Sequence, residues 1–139
     1  MNENMIDEIN NNGSPLLLYA GHANEITFST TSFNISDVES LNNQNKYFLG
    51  CVVGCSIGSH DENFMSLSEK FQTAQNKGSI AMFVSSILQN WEPPMHMQRK
   101  LNTLILQSTK ILTIGELFKS AILVDNIDWL NNDFWYYHI

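Results

Sequence analysis

Two short apolar segments, each followed at once by a reactive side chain, constrain the fold of this chain most strongly. Residues 16–21 lead into His22, and residues 47–54 lead into Cys55. Short apolar runs with few charges that stop at small residues are typical of strands buried on both faces of a parallel sheet. The carboxyl ends of neighbouring parallel strands form the crevice where ligands bind. The pattern therefore predicts an α/β fold that brings an imidazole and a thiol to one edge of its sheet.

The rest of the chain alternates between helical and extended patterns. Helices are predicted at residues 4–12, 37–42, 65–76, 95–107 and 113–124. Further extended segments are predicted at residues 27–31, 79–85 and 133–139. Ser36 followed three residues later by Glu39 is a capping-box pattern, which sets the start of the helix at 37–42. The Pro93-Pro94 pair predicts a non-helical connection over residues 87–94, in which Trp91 is exposed.

The thiol and the imidazole suit nucleophilic catalysis. A cysteine attacks a carbonyl only as its thiolate, and an unperturbed thiol with a pKa of about 8.5 is mostly protonated at neutral pH. A neighbouring His22 would accept the proton of Cys55 and later donate a proton to the leaving amine. Gly21 and Gly54, directly before these two residues, would let the backbone turn sharply. We expect the backbone N–H groups of Cys55 and Ala23 to stabilise the oxyanion.

The second cysteine, Cys51, is four positions before Cys55. On one strand this spacing places the two α-carbons too far apart for a disulfide, so we predict two thiols. Core packing is the expected role of Cys51. The sequence predicts neither a metal site nor a cofactor, because the histidines show no ligand spacing with the cysteines. These histidines are His22, His60, His96 and His138.

Length and charge limit the class of protein. With 139 residues, 43% of them hydrophobic, the chain can hold one ordinary core and is predicted to be a single domain. Its net charge of −7 with only seven Lys and Arg argues against nucleic-acid binding, which needs a basic surface. No apolar run of membrane-spanning length occurs, and the acidic, polar first residues do not resemble a secretory signal. The sequence therefore predicts no membrane span and no particular location.

Several of these motifs together resemble those of the gingipain family of cysteine peptidases. Gly21-His22 at the end of a Tyr-containing strand is similar to the family's Gly-His motif, and Gly54-Cys55 after residues 46–49 is similar to its nucleophile strand. The spacing between His22 and Cys55 also fits. Further matches are Glu69, Lys77-Gly78, Ser85-Ser86 and Trp91. The resemblance covers roughly residues 13–125.

This resemblance implies a caspase-like three-layer sandwich with a mainly parallel sheet flanked by helices. It also implies a cysteine endopeptidase that hydrolyses peptide bonds through Cys55 and His22, with a peptide or protein as substrate. By the same resemblance, Trp91 and Ser86 bind the substrate, with the Trp91 ring as a wall of the primary specificity pocket. Relatives in this family are secreted or lie at the cell surface.

Three or four predicted strands are fewer than a full caspase-like sheet contains. We therefore expect residues 1–139 to be the catalytic half of a larger domain, truncated at both ends, with the missing upstream half as a partner. An alternative is a non-catalytic caspase-like module that binds a protein partner, which the short length and Ala23, where the family has Gly, both favour.

Four further residues are assigned by position alone. Glu25 and Asp61 are candidate acceptors for the second ring nitrogen of His22. His60 is predicted to be exposed, with a second imidazole near the site as the alternative. Glu69 is expected to be structural, holding the loop behind Cys55.

Overall fold

A computed structural model describes residues 2–61, 63–122 and 137–138. The chain forms two compact units, one from Met1–Leu88 with Tyr136–Ile139 and one from Gln89–Trp135.

A four-stranded sheet forms the centre of the first unit. Its strand order is β1-β5-β6-β7, with β1 at Leu16–Ala20, β5 at Phe48–Val53, β6 at Ser79–Ser85 and β7 at Tyr137–His138. The first three strands are parallel, and β7 is antiparallel to β6. The α/β class and the mainly parallel sheet are therefore confirmed. The predicted last strand is described only at β7, and its other residues lie outside the described ranges.

A second, smaller sheet follows His22. It contains three two-residue strands in antiparallel order, β2 at Ala23–Asn24, β3 at Thr27–Phe28 and β4 at Phe33–Asn34. The extended segment predicted at residues 27–31 is thus shorter than expected. A single turn of 3₁₀ helix at Asp37–Ser40 then leads the chain back towards β5.

Two helical segments complete the first unit. Helix α1 covers Asn2–Asp7 and continues as a π-helical turn over Glu8–Asn12, close to the predicted 4–12. Helix α2 covers Leu67–Thr73, within the predicted 65–76. The turn from α2 into β6 requires Gly78, whose φ is +93° and whose added Cβ would lie 1.9 Å from the Phe71 carbonyl oxygen. A residue with a side chain would be excluded there on both grounds.

Stacked aromatic rings fill the core of the first unit. Tyr19 stacks on Phe28 with ring centroids 4.3 Å apart, and Phe33 stacks on Phe71 at 5.5 Å. Phe48 meets the Phe71 ring edge-on at 5.3 Å. Such pairs contribute about 0.5–1.5 kcal/mol each beyond the area they bury. They link the end of β1, the small sheet, β5 and α2 into one core.

The capping box predicted at Ser36 is wrong. The Ser36 hydroxyl donates instead to the side-chain oxygen of Asn34 at 2.6 Å, and the Glu39 carboxylate pairs with Lys70. The side-chain hydrogen bond from Lys70 lowers the pKa of Glu39. Since both side chains have other partners, neither caps a helix, and the segment forms only the short 3₁₀ turn.

The second unit contains helix α3 at Glu92–Gln107 and helix α4 at Ile114–Ile122. The non-helical connection predicted over residues 87–94 is correct for residues 87–91 and wrong for residues 92–94, because α3 begins at Glu92. Both prolines lie in its first turn, where backbone N–H groups have no partner within the helix and the fixed φ of proline is already helical. Thr113 opens α4 as predicted, and the predicted end near residue 124 lies outside the described residues.

Candidate active site

His22 and Cys55 lie at the same edge of the main sheet. Strands β1 and β5 run parallel with Ala20 opposite Val53, and the backbone N–H of Gly21 donates to the Val53 carbonyl at 3.0 Å. His22 follows Gly21 directly, and Cys55 is two residues beyond Val53. The two predicted catalytic residues are therefore held at the carboxyl ends of adjacent strands.

The glycines before these residues allow a close approach of the two strand ends. A Cβ at Gly21 would lie 2.7 Å from both the Thr30 hydroxyl and the Tyr19 hydroxyl oxygen. A Cβ at Gly54 would lie 2.9 Å from the Ala23 Cβ and 3.1 Å from the Gly21 carbonyl oxygen. A Cβ at either position would force neighbouring atoms to shift, so the close approach of the two strand ends depends on both glycines.

The backbone of His22 is anchored from both sides. The buried Tyr19 hydroxyl donates to the His22 carbonyl at 2.6 Å, and the Ser29 N–H donates to the same oxygen at 2.9 Å. The Tyr19 hydroxyl in turn accepts the N–H of Thr30 at 3.2 Å. These bonds fix the peptide that carries the imidazole, while the His22 side chain is exposed. Sequence reasoning missed Tyr19 as an anchor, although a Tyr three residues before His22 was the available signal.

The N–H of Ala23 points away from its neighbour strand. The bond from Ser29 to His22 makes these two residues a hydrogen-bonded pair of the antiparallel ribbon. Because hydrogen-bonded and non-hydrogen-bonded pairs alternate, Ala23 opposite Phe28 belongs to the second kind. Its N–H is then directed away from β3, as an oxyanion donor at this position would need to be.

A tight turn follows Cys55. Ser56 has a φ of 55°, a left-handed conformation that is uncommon for a residue other than glycine. Its N–H donates to the Ile87 carbonyl at 3.0 Å, and the Gly58 N–H donates to the Ser85 carbonyl at 2.9 Å. The turn is therefore fastened to the segment that leaves β6.

The two cysteines differ in exposure. Cys55 is half-buried, whereas Cys51 lies inside β5 with no exposed surface. They form no disulfide, as predicted. The core position of Cys51 agrees with the packing role expected for it.

The two predicted substrate-binding residues lie in different units. Ser86 directly follows β6 in the first unit and is half-buried. Trp91 belongs to the second unit, is 44% exposed and immediately precedes α3. Their roles in substrate binding stay predictions.

Glu69 ties the loop behind Cys55 to the start of α2. Its carboxylate accepts the Ser66 N–H at 2.7 Å and lies 3.0 Å from Nδ1 of His60. The Ser66 hydroxyl accepts the Glu69 N–H, which completes a capping box that sequence reasoning missed at this Ser-x-x-Glu. The Ser66 N–H, followed by the His60 hydrogen bond, lowers the pKa of Glu69. The geometry agrees with the structural role expected for Glu69 and with the exposed position expected for His60.

The two candidate acceptors for the His22 ring have other contacts. The Asp61 carboxylate accepts the backbone N–H of Asn63 at 2.8 Å. The Glu25 backbone carbonyl accepts the Leu67 N–H at 2.8 Å, which ties the small sheet to α2. An acceptor role of either carboxylate for His22 stays a prediction.

The described residues contain neither a group of metal ligands nor a membrane-spanning helix. Among residues 2–61, 63–122 and 137–138, no three His, Cys, Asp or Glu side chains are grouped so that they could hold a metal ion. Over the same ranges, none of the helices is both long and apolar enough to cross a membrane.

Comparison with models of protein families identifies the family of this chain. The family model of peptidase family C25 matches residues 1–137. The chain belongs to peptidase family C25. This is a family of cysteine peptidases, and the match confirms the gingipain-type resemblance of the sequence motifs.

Curated relatives in family C25 are gingipains of Porphyromonas gingivalis. Gingipain R2 is 30% identical over 109 residues, which are 76% of this chain and 15% of that protein. Gingipain R1 is 29% identical over the same length and is covered to 11%. The C25 chain described here thus spans a small part of the relatives it matches.

Two solved structures share the fold. The Arg-specific cysteine proteinase gingipain R matches with a TM-score of 0.82 and 27% identity, over 87% of this chain and 29% of that one. A complex of the pro- and mature domains of Porphyromonas gingivalis RgpB gives the same TM-score and identity, with 30% of that chain covered. The caspase-like fold and its partial extent in this C25 chain are therefore confirmed.

Proposed function

We propose that this chain carries the catalytic residues of a cysteine endopeptidase. Cys55 attacks the scissile carbonyl as a thiolate, and His22 accepts the thiol proton. The tetrahedral intermediate collapses to a thioacyl-enzyme as the carbon–nitrogen bond breaks, and His22 gives its proton to the leaving amine. Water, deprotonated by His22, then hydrolyses the thioester and restores the Cys55 thiol.

One observation carries this proposal. The hydrogen bond from Gly21 to Val53 fixes the ends of β1 and β5 side by side, and the next residues along the chain include His22 and Cys55. A nucleophile and its base must lie within hydrogen-bond reach, directly or through one water. Adjacent parallel strands that end together support such a proximity of His22 and Cys55.

The oxyanion would be stabilised by two backbone donors. The N–H groups of Cys55 and Ala23 are the proposed pair, and the direction of the Ala23 N–H away from β3 supports its part. Ala23 lies against Gly54, the residue before the nucleophile. Donors fixed in this way need no reorganisation during the reaction.

The proposed substrate is a peptide or protein. By the family resemblance, Trp91 and Ser86 are the proposed substrate-binding residues; Trp91 is 44% exposed, and Ser86 directly follows β6. Gingipain R is described as Arg-specific, but this chain covers too little of it for the same preference to be proposed.

A second candidate is a non-catalytic module, or a half that needs its partner. Among the described residues β1 pairs on one side only, with β5. Leu18 and Ala20 on this edge strand are exposed, and a cavity of about 360 Å³ lies beside it. We propose that a strand from the upstream half of the domain completes the sheet here, since an open edge strand is a ready template for pairing.

Peptide cleavage by a longer chain that includes the upstream residues tests the enzyme hypothesis. We expect Cys55→Ala and His22→Ala each to reduce cleavage to background, and the double variant to lose no more, because nucleophile and base act as a unit. Cys51→Ala is the matched control and should keep its activity. Cleavage that persists in Cys55→Ala would exclude the dyad, and a folded, inactive longer chain would favour the non-catalytic module.

A further inference from the structure

The last residue of β6 has a buried hydroxyl that shapes the turn after the strand. Ser85 is only 1% exposed, and its Oγ donates to the Ile87 carbonyl at 2.9 Å. The same oxygen accepts the Ile87 N–H at 3.3 Å. A serine hydroxyl that forms hydrogen bonds with the backbone two residues later fixes the conformation of a turn. Ser85 therefore sets the path of the chain through Ser86 to Ile87.

The turn fixed by Ser85 also supports the turn that follows Cys55. The Ile87 carbonyl, which accepts the Ser85 hydroxyl, also accepts the N–H of Ser56 at 3.0 Å. Gly58 lies so close to β6 that a Cβ there would be 2.3 Å from the Val84 side chain. The two turns thus pack against each other through the shared Ile87 carbonyl, the hydrogen bond from the Gly58 N–H to the Ser85 carbonyl and the close contact of Gly58 with Val84.

Ser56 needs this support. Its positive φ is a sparsely populated conformation, which persists only where surrounding contacts hold it. The bond from its N–H to Ile87 is such a contact. Because Ser56 is the residue next to Cys55, a relaxation of its backbone would rotate the peptide that carries the thiol.

We propose that Ser85 is a positioning residue for the Cys55 nucleophile, acting through Ile87 and Ser56. The inference rests on the proposed function, since it assumes that the placement of the thiol matters. The hydroxyl holds the Ile87 carbonyl where it can accept the Ser56 N–H, and this bond holds Cys55 in reach of His22. The same hydrogen bonds of Ser85 fix the position of Ser86. One buried hydroxyl therefore couples the turn after Cys55 to the turn that carries the predicted substrate-binding residue Ser86.

Alkylation of Cys55 by iodoacetamide near neutral pH, followed by peptide mass, tests this on the chain itself. We expect wild-type Cys55 to be labelled faster than Cys51, and His22→Ala to lose this advantage. In Ser85→Ala the rate of Cys55 alkylation near neutral pH should fall about fivefold, which corresponds to the loss of one neutral hydrogen bond. Ser85→Thr, which restores the hydroxyl, should recover most of the rate.

The matched control is Ser79→Ala, at the opposite end of β6. The buried Ser79 hydroxyl makes no hydrogen bond in the described part of the chain, so its removal should leave the Cys55 rate unchanged. Buried Cys51 reports on folding, because it becomes labelled only if the sheet opens. If Ser85→Ala exposes Cys51, the comparison is made with Ser85→Cys, which keeps a similar shape but donates only weakly.

The outcomes separate this inference from the proposed function. Wild-type Cys55 without any His22-dependent reactivity would overturn the proposed function and this inference with it. If Cys55 reactivity depends on His22 in the wild type, but Ser85→Ala is folded and its Cys55 is equally reactive, the inference alone is overturned. Equal losses in Ser85→Ala and Ser85→Thr, with Cys51 protected in both, would also overturn it, because the hydroxyl would then not be the cause.

Discussion

The hydroxyl of Tyr19 donates a hydrogen bond to the backbone carbonyl of His22 across 2.6 Å. The strand that ends in the proposed base therefore also provides its anchor, from three residues upstream. Since the Tyr19 ring stacks on Phe28 in the core, this anchor connects the aromatic packing to the edge of the sheet. A change in the core at Tyr19 should accordingly be felt at His22.

Tyr19→Phe keeps the ring and removes the hydroxyl. We expect a loss of about 1–3 kcal/mol in the free energy of unfolding, because the His22 carbonyl and the Thr30 N–H both lose a partner. Urea unfolding measures this loss. Tyr47→Phe, which removes a hydroxyl just before β5, is the matched control and should cost less. Equal losses in the free energy of unfolding for the two variants would show that the hydrogen bond from Tyr19 to His22 adds nothing to stability.

Gly54→Ala should disturb the corner between the proposed base and nucleophile. The new methyl group would lie 2.9 Å from the Ala23 Cβ, and overpacking of this kind costs about 1–3 kcal/mol. Thermal unfolding and peptide cleavage by the longer chain measure the effect. Ala23→Gly in the same chain should restore part of both, because it removes the other methyl group.

The matched control for this corner is Gly115→Ala, whose added Cβ would meet nothing within 4 Å. It should leave stability unchanged or raise it, since alanine is favoured over glycine in a helix. If Ala23→Gly gives Gly54→Ala no recovery, the contact between these two positions does not limit the site.

The local sequence pattern was enough to predict β1 and β5 in their order, and to predict that these strands end just before His22 and Cys55. Each of these strands is a short apolar run that local sequence separates clearly from its surroundings. The helix starts were less predictable. Ser36 and Ser66 both begin a Ser-x-x-Glu pattern, but the partners of the acidic residues decide between them, and Lys70 reaches Glu39 from a distant part of the chain.

Contacts between distant residues account for what the sequence could not predict. The Asn43 side chain is fully buried and pairs with both the N–H and the carbonyl of Gly78, 35 positions later. The Ser56 N–H finds its acceptor at Ile87 in the same way. No periodicity encodes such pairs, because they depend on where the fold brings two backbone segments together.

Glu69 should make stability depend on pH. Its folded-state pKa lies below the ordinary value, so the charged carboxylate stabilises the fold above that value and the contribution is lost as pH falls through the folded pKa. We expect Glu69→Ala to lower the free energy of unfolding by about 1 kcal/mol at pH 7. In urea titrations, the difference in the free energy of unfolding between Glu69→Ala and wild type should become smaller at acidic pH.

Glu69→Gln is the control for this charge. Glutamine also serves in a capping box, so it should keep much of the stability while removing the pH dependence. A gap between Glu69→Ala and wild type that stays constant from neutral to acidic pH would contradict the part assigned to the carboxylate.

Trp91→Ala should change which substrates are accepted and leave the chemistry intact. Trp91 is proposed as a pocket wall, so its loss should alter the preference for the residue before the scissile bond. A peptide library digested by the longer chain and read by mass spectrometry measures this preference. Leu88→Ala, which truncates another exposed apolar residue, is the control. An unchanged preference with uniformly lower cleavage would remove Trp91 from the pocket.

Acid-quenched reactions of the longer chain with peptide substrates test the central claim most directly, because a thioacyl-enzyme must form if Cys55 is the nucleophile. Peptide mapping of the quenched protein should find the acyl group on the fragment that contains Cys55, and hydroxylamine should release it. His22→Ala should reduce its formation, and Cys51 should carry none. Cleavage without any acyl group on Cys55, or with the acyl group on another residue, would contradict the account.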